Sequence, residues 1–313
     1  MSGELVTVFG GSGFIGKVLV QHLAKAGYRV RVAVRRPNSG LDVKTLGDLG
    51  QIHLTQANVR NKPSVEAAIK GADHVVNLVG VLFEGGKQTF GKIHDEGAGL
   101  VAEVAAAENV KSLVHMSAIG ADEESQSKYG LSKAAGEAAV IENFPDATII
   151  RPSVVFGADD QFFNRFAAMA KSYRMLPVIC GESKFQPVFV GDVAEAIVEI
   201  LVNEDAPGKT YELGGPKAYS FRELLELVNK TTEQNVPLIT IPIQMAYLQA
   251  FFLGMLPNPM LTIDQLRLLE NDNVVSSNAL SLNDLGIETT PPEAVIPNYL
   301  VHYRPMGQFK VAS

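Results

Sequence analysis

The feature that most constrains this chain lies near its start. A five-residue apolar run, Leu5–Phe9, leads directly into Gly10-Gly11-Ser12-Gly13-Phe14-Ile15-Gly16, and a stretch of helical periodicity follows to residue 26. Glycines at 10, 13 and 16 permit a tight turn, close approach of a ligand to the backbone, and close packing of a helix on a strand. The helix opening near Phe14 offers unpaired N–H groups and its positive end to an anion. The spacing alone is weak, since the chain holds 28 glycines. Its place between a strand and a helix makes it the fingerprint of a unit that cradles a dinucleotide pyrophosphate. Gly10, Ser12, Gly13, Phe14, Ile15 and Gly16 are the candidate contacts.

The next 130 residues continue in the same style. Short β-branched runs at 29–34, 52–55, 74–79, 113–117 and 148–151 alternate with apolar-periodic segments at 64–70, 90–108 and 128–143. Strands separated by helices of this length read as right-handed βαβ units on a parallel sheet. The expected fold is α/β: a Rossmann-type doubly wound parallel sheet with a smaller, partly interleaved C-terminal lobe. Proline becomes denser from Pro152 onward and the alternation fades. Helices are expected at 192–202, 221–230 and 263–269, with Asp192 and Ser220 as N-caps. The division expected is a dinucleotide-binding core over 1–232 and a substrate- or partner-binding lobe over 233–313.

Which dinucleotide is held turns on the end of the second strand, where a carboxylate would accept from the ribose hydroxyls of NAD. The chain instead reads Val34-Arg35-Arg36-Pro37. A guanidinium grips a phosphate with a planar fork, so Arg35 and Arg36 favour NADP(H) over NAD(H).

Composition removes other classes. With 27 Lys and Arg against 34 Asp and Glu the net charge is −7, which disfavours a nucleic-acid binder. A single cysteine, Cys180, excludes an internal disulfide framework and a multi-cysteine zinc site. Six scattered histidines form no HExxH pair, so no metal is expected. Cys180 is expected to be an inert thiol, and Asp159-Asp160 a loop. No cationic-then-apolar leader precedes the first strand, so neither a signal peptide nor a transit peptide is expected. The stretch from Val236 to Ile263 is strongly apolar, but Pro237, Pro242, Pro257 and Pro259 break any run long enough to span a bilayer. It can pack on its own core, meet a membrane surface, or meet a partner. The expected location is cytoplasmic, with a peripheral place on the inner membrane as the alternative.

In order along the chain, the glycine loop, Asn58-Val59, Asn77-Leu78-Val79-Gly80, His115-Met116-Ser117, Tyr129-Gly130-Leu131-Ser132-Lys133, Arg151-Pro152-Ser153-Val154-Val155-Phe156-Gly157 and the 187–194 segment resemble the extended and atypical short-chain dehydrogenase/reductases. The resemblance implies cofactor contacts at Asn58, Val59, Val79, Gly80, Tyr129, Lys133 and Pro152. Farther on, Leu261-Thr262-Ile263-Asp264-Gln265, Asp272-Asn273-Val274-Val275 and Pro297-Asn298-Tyr299-Leu300 look like bacterial relatives of the short-chain-dehydrogenase-type accessory subunit of respiratory complex I. That family is known for a tightly held NADPH, and it has cousins implicated in ubiquinone biosynthesis.

The resemblance also assigns a catalytic set: Ser117, Tyr129 and Lys133. Tyr129 and Lys133 stand four apart on one helix face. A lysine ammonium beside the phenol would lower its pKa toward a useful range, and Ser117 could orient a carbonyl. One departure is His94-Asp95-Glu96-Gly97, where many members carry an asparagine; His94 is expected to be structural. The acidic residues Asp122, Glu123 and Glu124 read as a solvated loop.

Three functions compete. The intact Ser117–Tyr129–Lys133 set favours an NADP(H)-dependent oxidoreductase on a carbonyl or alcohol, quinone-related in one version. The C-terminal resemblance favours a non-catalytic NADPH-holding accessory or assembly subunit of complex I. A redox-sensing regulator ranks last, because such proteins commonly lack the Tyr–Lys pair. The catalytic set tips the reading toward the enzyme.

Overall fold

A computed structural model describes residues 3–254, 256, 259, 261–305 and 307. Met255 and Pro257 of the apolar stretch lie outside the described residues. Six strands follow the expected order: β1 (Leu5–Phe9), β2 (Arg29–Val34), β3 (Ile52–Gln56), β4 (His74–Asn77), β5 (Ser112–Met116) and β6 (Thr148–Pro152). A seventh, Thr210–Leu213, was not expected from the sequence. They form one sheet in the order Thr210–Leu213, β6, β5, β4, β1, β2, β3, with every pairing parallel. All five residues of β1 are buried, as a strand covered on both faces requires. The order reverses between β1 and β4, and in such sheets the crevice at that switch is where ligands bind.

The crossover helices are α1 (Phe14–Lys25), α2 (Lys62–Ile69), α3 (Glu96–Ala107) and α4 (Lys128–Asn143). Two start on side-chain caps: Asn61 accepts from the Ser64 N–H, and Ser127 from the Gly130 N–H. The single helix expected over 90–108 is divided. Gly91–Asp95 is a π-helical turn, with the Glu96 N–H bonded to the Gly91 carbonyl, and α3 starts only afterwards. The extra residue in that turn shifts His94 inward, where it is 1% exposed.

The chain divides into two compact units, neither continuous in sequence. The first comprises Met1–Pro152, Gly191–Leu213 and Ser277–Ile287; the second, Ser153–Val190, Gly214–Ser276 and Glu288–Ser313. The expected boundary at 232/233 does not match this partition. Residues 153–190 and 214–232 pack in the second unit, and 277–287 in the first. The interleaving runs deeper than composition could reveal. Of the later helices, α5 (Phe163–Tyr173) was missed, α6 spans Val190–Val202, and α7 spans Phe221–Thr232. Ser220 caps α7 with a reciprocal Glu223 contact. Asp192 is not an N-cap: it lies within the first turn of α6, where a carboxylate still complements the helix dipole.

The second unit packs α5 and α7 on an aromatic core in which Phe156, Phe163, Phe185 and Phe221 are buried. Asp159-Asp160 lies in a loop, where Asp160 accepts from the Phe162 and Asn164 N–H groups and the Tyr299 hydroxyl. The apolar stretch forms α8 (Ile243–Leu253) and leads to α9 (Ile263–Leu269). In α8 only Ala246 and Ala250 are buried, while Met245, Leu248, Phe251 and Phe252 are exposed. Among the described residues no helix is long and apolar enough to cross a membrane.

Candidate functional site

Every candidate residue named from the sequence falls at the carboxyl edge of the seven-stranded sheet. The glycine loop follows β1, Arg35 and Arg36 follow β2, Asn58 and Val59 follow β3, and Val79 and Gly80 follow β4. Ser117 follows β5, Pro152 closes β6, and Tyr129 and Lys133 lie in α4.

The glycine loop is as tight as its spacing demands. Gly10 has φ +80, and the Gly13 N–H donates to the Gly10 carbonyl at 2.9 Å. A Cβ on Gly16 would stand 2.3 Å from the Gly10 oxygen and 2.5 Å from the Gly11 Cα, both backbone atoms that cannot yield. Gly13 is the N-cap of α1 and brings no capping side chain, so the helix start keeps backbone donors for a ligand.

Around Ser117 the geometry is that of a prepared polar site. Its side chain is 3% exposed, and its hydroxyl is buried without a hydrogen-bond partner. An orphaned buried hydroxyl is costly unless something completes it. Lys133, 4% exposed, donates from Nζ to the carbonyl of Met116, next to Ser117 in the chain, at 2.8 Å. Burial pushes the Lys133 ammonium down to about 8, against the pull of Glu137. Tyr129 is half-buried, and its low-dielectric surroundings push the phenol up to about 12. Desolvation dominates both groups.

His94 explains how this corner is held together. Its Nε2 accepts from the Val81 N–H at 2.9 Å, so Nδ1 carries the proton and donates to Ser132 Oγ at 2.9 Å. Ser132 in turn donates to the Tyr129 carbonyl at 2.8 Å. Burial, with Lys133 nearby, holds the imidazole down at about 3, so it is neutral at physiological pH. Both nitrogens are committed, which makes His94 a strap between the loop after β4 and α4. Gly136 lets the π turn pack this closely, since a Cβ there would lie 2.0 Å from the His94 oxygen.

Three features were not anticipated. Glu137, four residues past Lys133, forms a two-point ion pair with Arg151 at 2.9 and 2.6 Å, and Glu212 stands 3.7 Å away. The spacing Tyr129–Lys133–Glu137 was the available signal. Gln88 and Arg60 join the loop after β4 to the ends of β2 and β3, which no local pattern announces. Val59, Arg60, Lys92, Glu96 and Leu100 line a cavity of about 300 Å³ beside the predicted Asn58-Val59 contact. Among the described residues no cluster of three or more His, Cys, Asp or Glu could hold a metal. Cys180 is half-buried, and burial pushes its thiol up, away from reactivity.

Residues 6–214 match the family model described as the NAD dependent epimerase/dehydratase family. The chain belongs to that family. As a member of the extended short-chain dehydrogenases, it carries the family's site for a nicotinamide dinucleotide. The glycine cradle and the orphaned Ser117 hydroxyl fit such a ligand. The chain is 35% identical over 320 residues, covering 98% of its length and 80% of the relative's, to "NADH dehydrogenase [ubiquinone] 1 alpha subcomplex subunit 9, mitochondrial" of Arabidopsis thaliana. The Dictyostelium discoideum protein of the same name is 33% identical, covering 98% of this chain and 87% of that one. An NADPH-dependent quinone oxidoreductase from Escherichia coli, crystallised with NADPH, shares the fold at a TM-score of 0.75 and 17% identity, over 94% of this chain and 99% of that one.

Proposed function

We propose that this member of the epimerase/dehydratase family holds NADP(H) at the carboxyl edge of its sheet and serves as an accessory or assembly subunit of respiratory complex I. The observation that carries the reading is the extent of the similarity. Relatives that are subunits of that complex align over 98% of the chain, well past the family domain at 6–214 and through the second unit's α8 and α9. Arg35 and Arg36, with no carboxylate at the end of β2, favour the 2′-phosphate of NADP(H). Peripheral attachment through the stretch between Val236 and Ile263 would suit a subunit without a spanning helix. The committed nitrogens of His94 agree with a site built to hold, because a strapped neutral imidazole cannot carry protons away.

A second reading, an oxidoreductase acting on a carbonyl or alcohol, is favoured by the unpartnered Ser117 Oγ. When bound, a reduced nicotinamide supplies hydride. In that reading Ser117 donates a hydrogen bond to the substrate oxygen, Tyr129 holds the proton that reaches it, and Lys133 stabilises the tyrosinate. One experiment separates the two. NADPH-loaded protein is mixed with a panel of quinones and ketones, with Tyr129→Phe in parallel, and gently lysed cells are fractionated for the wild type. The accessory reading expects NADPH to stay reduced and the protein to travel with respiratory membranes. Consumption by the wild type but not by Tyr129→Phe would establish the enzyme instead.

A further inference from the structure

We infer that residues 82–89, the segment leaving β4, form a clasp that closes over the bound dinucleotide, and that Gln88 sets the Arg35 fork for the 2′-phosphate. The inference rests on the dinucleotide reading above and adds what retains the nucleotide and what tunes its choice.

The sheet order carries the argument. Reading across the sheet the strands run β4, β1, β2, β3, all parallel, so their carboxyl ends share one edge. The segment starts beyond β4, yet it is fastened to the far strands. Arg35, directly after β2, donates from Nη1 to Gln88 Oε1 at 2.5 Å. Arg60, beyond β3, donates from Nη1 to the Lys87 carbonyl at 2.7 Å. The carboxyl end of β1, where the glycine loop 10–16 leaves the sheet, lies between the segment's root at β4 and the strands that fasten it. Three strand spacings of about 4.8 Å make that span roughly 14 Å wide. An anion on the glycine loop would therefore lie within the span of this segment.

The rest of the segment is built to keep its shape. Gly85 and Gln88 exchange N–H···O bonds at 3.0 Å in both directions, closing the tip. Glu84 Oε1 accepts from the Phe90 N–H at 2.9 Å, and His94 Nε2 from the Val81 N–H at 2.9 Å, fixing the two feet. Between these feet two arginine bonds, both at exposed side chains, tie the segment to the far strands, so they are the part that can open.

Gln88 has a second effect. Its amide oxygen holds one edge of the Arg35 guanidinium without neutralising it, leaving the positive charge for a phosphate. A carboxylate in the same place would hold the fork equally well and cancel that charge. Nucleotide choice and clasp closure thus meet at one side chain.

Release kinetics test this. The full chain is loaded with NADPH or NADH, and loss of reduced-nicotinamide fluorescence is followed on chasing with excess oxidised nucleotide. Gln88→Ala should speed the release of NADPH about tenfold, the loss expected for one hydrogen bond to a charged group. Gln88→Glu should speed NADPH release by a similar factor and leave NADH release within about threefold of wild type. In the wild type, NADPH should slow tryptic cleavage after the exposed Lys87 by about tenfold, since cleavage samples the opened segment. Release from Gln88→Ala within about twofold of wild type, an equal effect of Gln88→Glu on both nucleotides, or cleavage indifferent to NADPH would each overturn the clasp. If the wild type itself retained neither nucleotide, the dinucleotide reading would fall with it. Wild-type retention with unaltered variants overturns the clasp alone.

Discussion

The two units solve the burial of polar groups in opposite ways. In the first, several buried titratable side chains are held uncharged or tied into an ion pair. His94 and His115 are neutral with pKa values pushed down to about 3 by burial, His74 is lowered by desolvation in spite of Glu4, and Glu137 is clasped by Arg151. In the second, the core is a stack of phenylalanines, its chief buried carboxyl is Asp160, raised by desolvation, and the anomaly is outside, on the apolar face of α8. The first unit concentrates its unusual chemistry inward, and the second displays it outward.

Acid should break the comparison open most widely. A histidine whose folded pKa lies below its unfolded value of 6.5 contributes stability that is complete above pH 6.5 and lost as the pH falls toward 3. Asp160 has the opposite sign: its raised pKa makes its contribution grow as the pH falls. Hydrogen exchange read by mass spectrometry should therefore show the first unit losing at least about 4 kcal/mol between pH 6.5 and 3 before the second opens. Simultaneous opening would remove the contrast. Next in size, Gly16→Ala should cost about 3 kcal/mol in denaturant unfolding and abolish NADPH retention, because the new Cβ meets only backbone. Near-normal stability would mean that the cradle can relax. Arg151→Ala leaves Glu137 buried and uncompensated, and the expected loss is about 2 kcal/mol, reduced by the partial exposure of the arginine. Finally, Phe251→Ser with Phe252→Ser should move stability by no more than about 0.5 kcal/mol while weakening recovery with membranes or the respiratory complex. A large stability loss there would assign the face to the protein's own fold.

The first unit was the more legible for physical reasons. β1, β2 and α4 fell at their expected bounds because a run covered on both faces and a capped amphipathic helix leave local marks. The glycine loop was readable because its residues are dictated by backbone crowding, which no other side chain relieves. The π turn at Gly91–Asp95 left no mark, since one additional residue per turn does not disturb an apolar pattern over so short a span. Asp192 satisfied the statistics of a cap and missed the geometry by three residues. In the second unit the strands are two or three residues long and pair across large sequence distances, as Leu176–Val178 does with Leu238–Thr240. Periodicity cannot act over such lengths. As candidates, the glycine loop, the two arginines and the Ser117, Tyr129 and Lys133 positions were readable from the sequence. The His94 strap and the Gln88 and Arg60 fastenings were not, because each joins side chains that only the folded sheet brings together.

The interleaving of the two units also dictates an order of events during synthesis. β6 finds its outer neighbour only when Thr210–Leu213 emerges, and that strand is sealed later still, when the Glu212 N–H donates to the Leu280 carbonyl. A growing chain of 200 residues thus carries a finished glycine cradle and an open strand edge at once. Ribosome-bound fragments ending short of residue 213 are where chaperone dependence should be greatest.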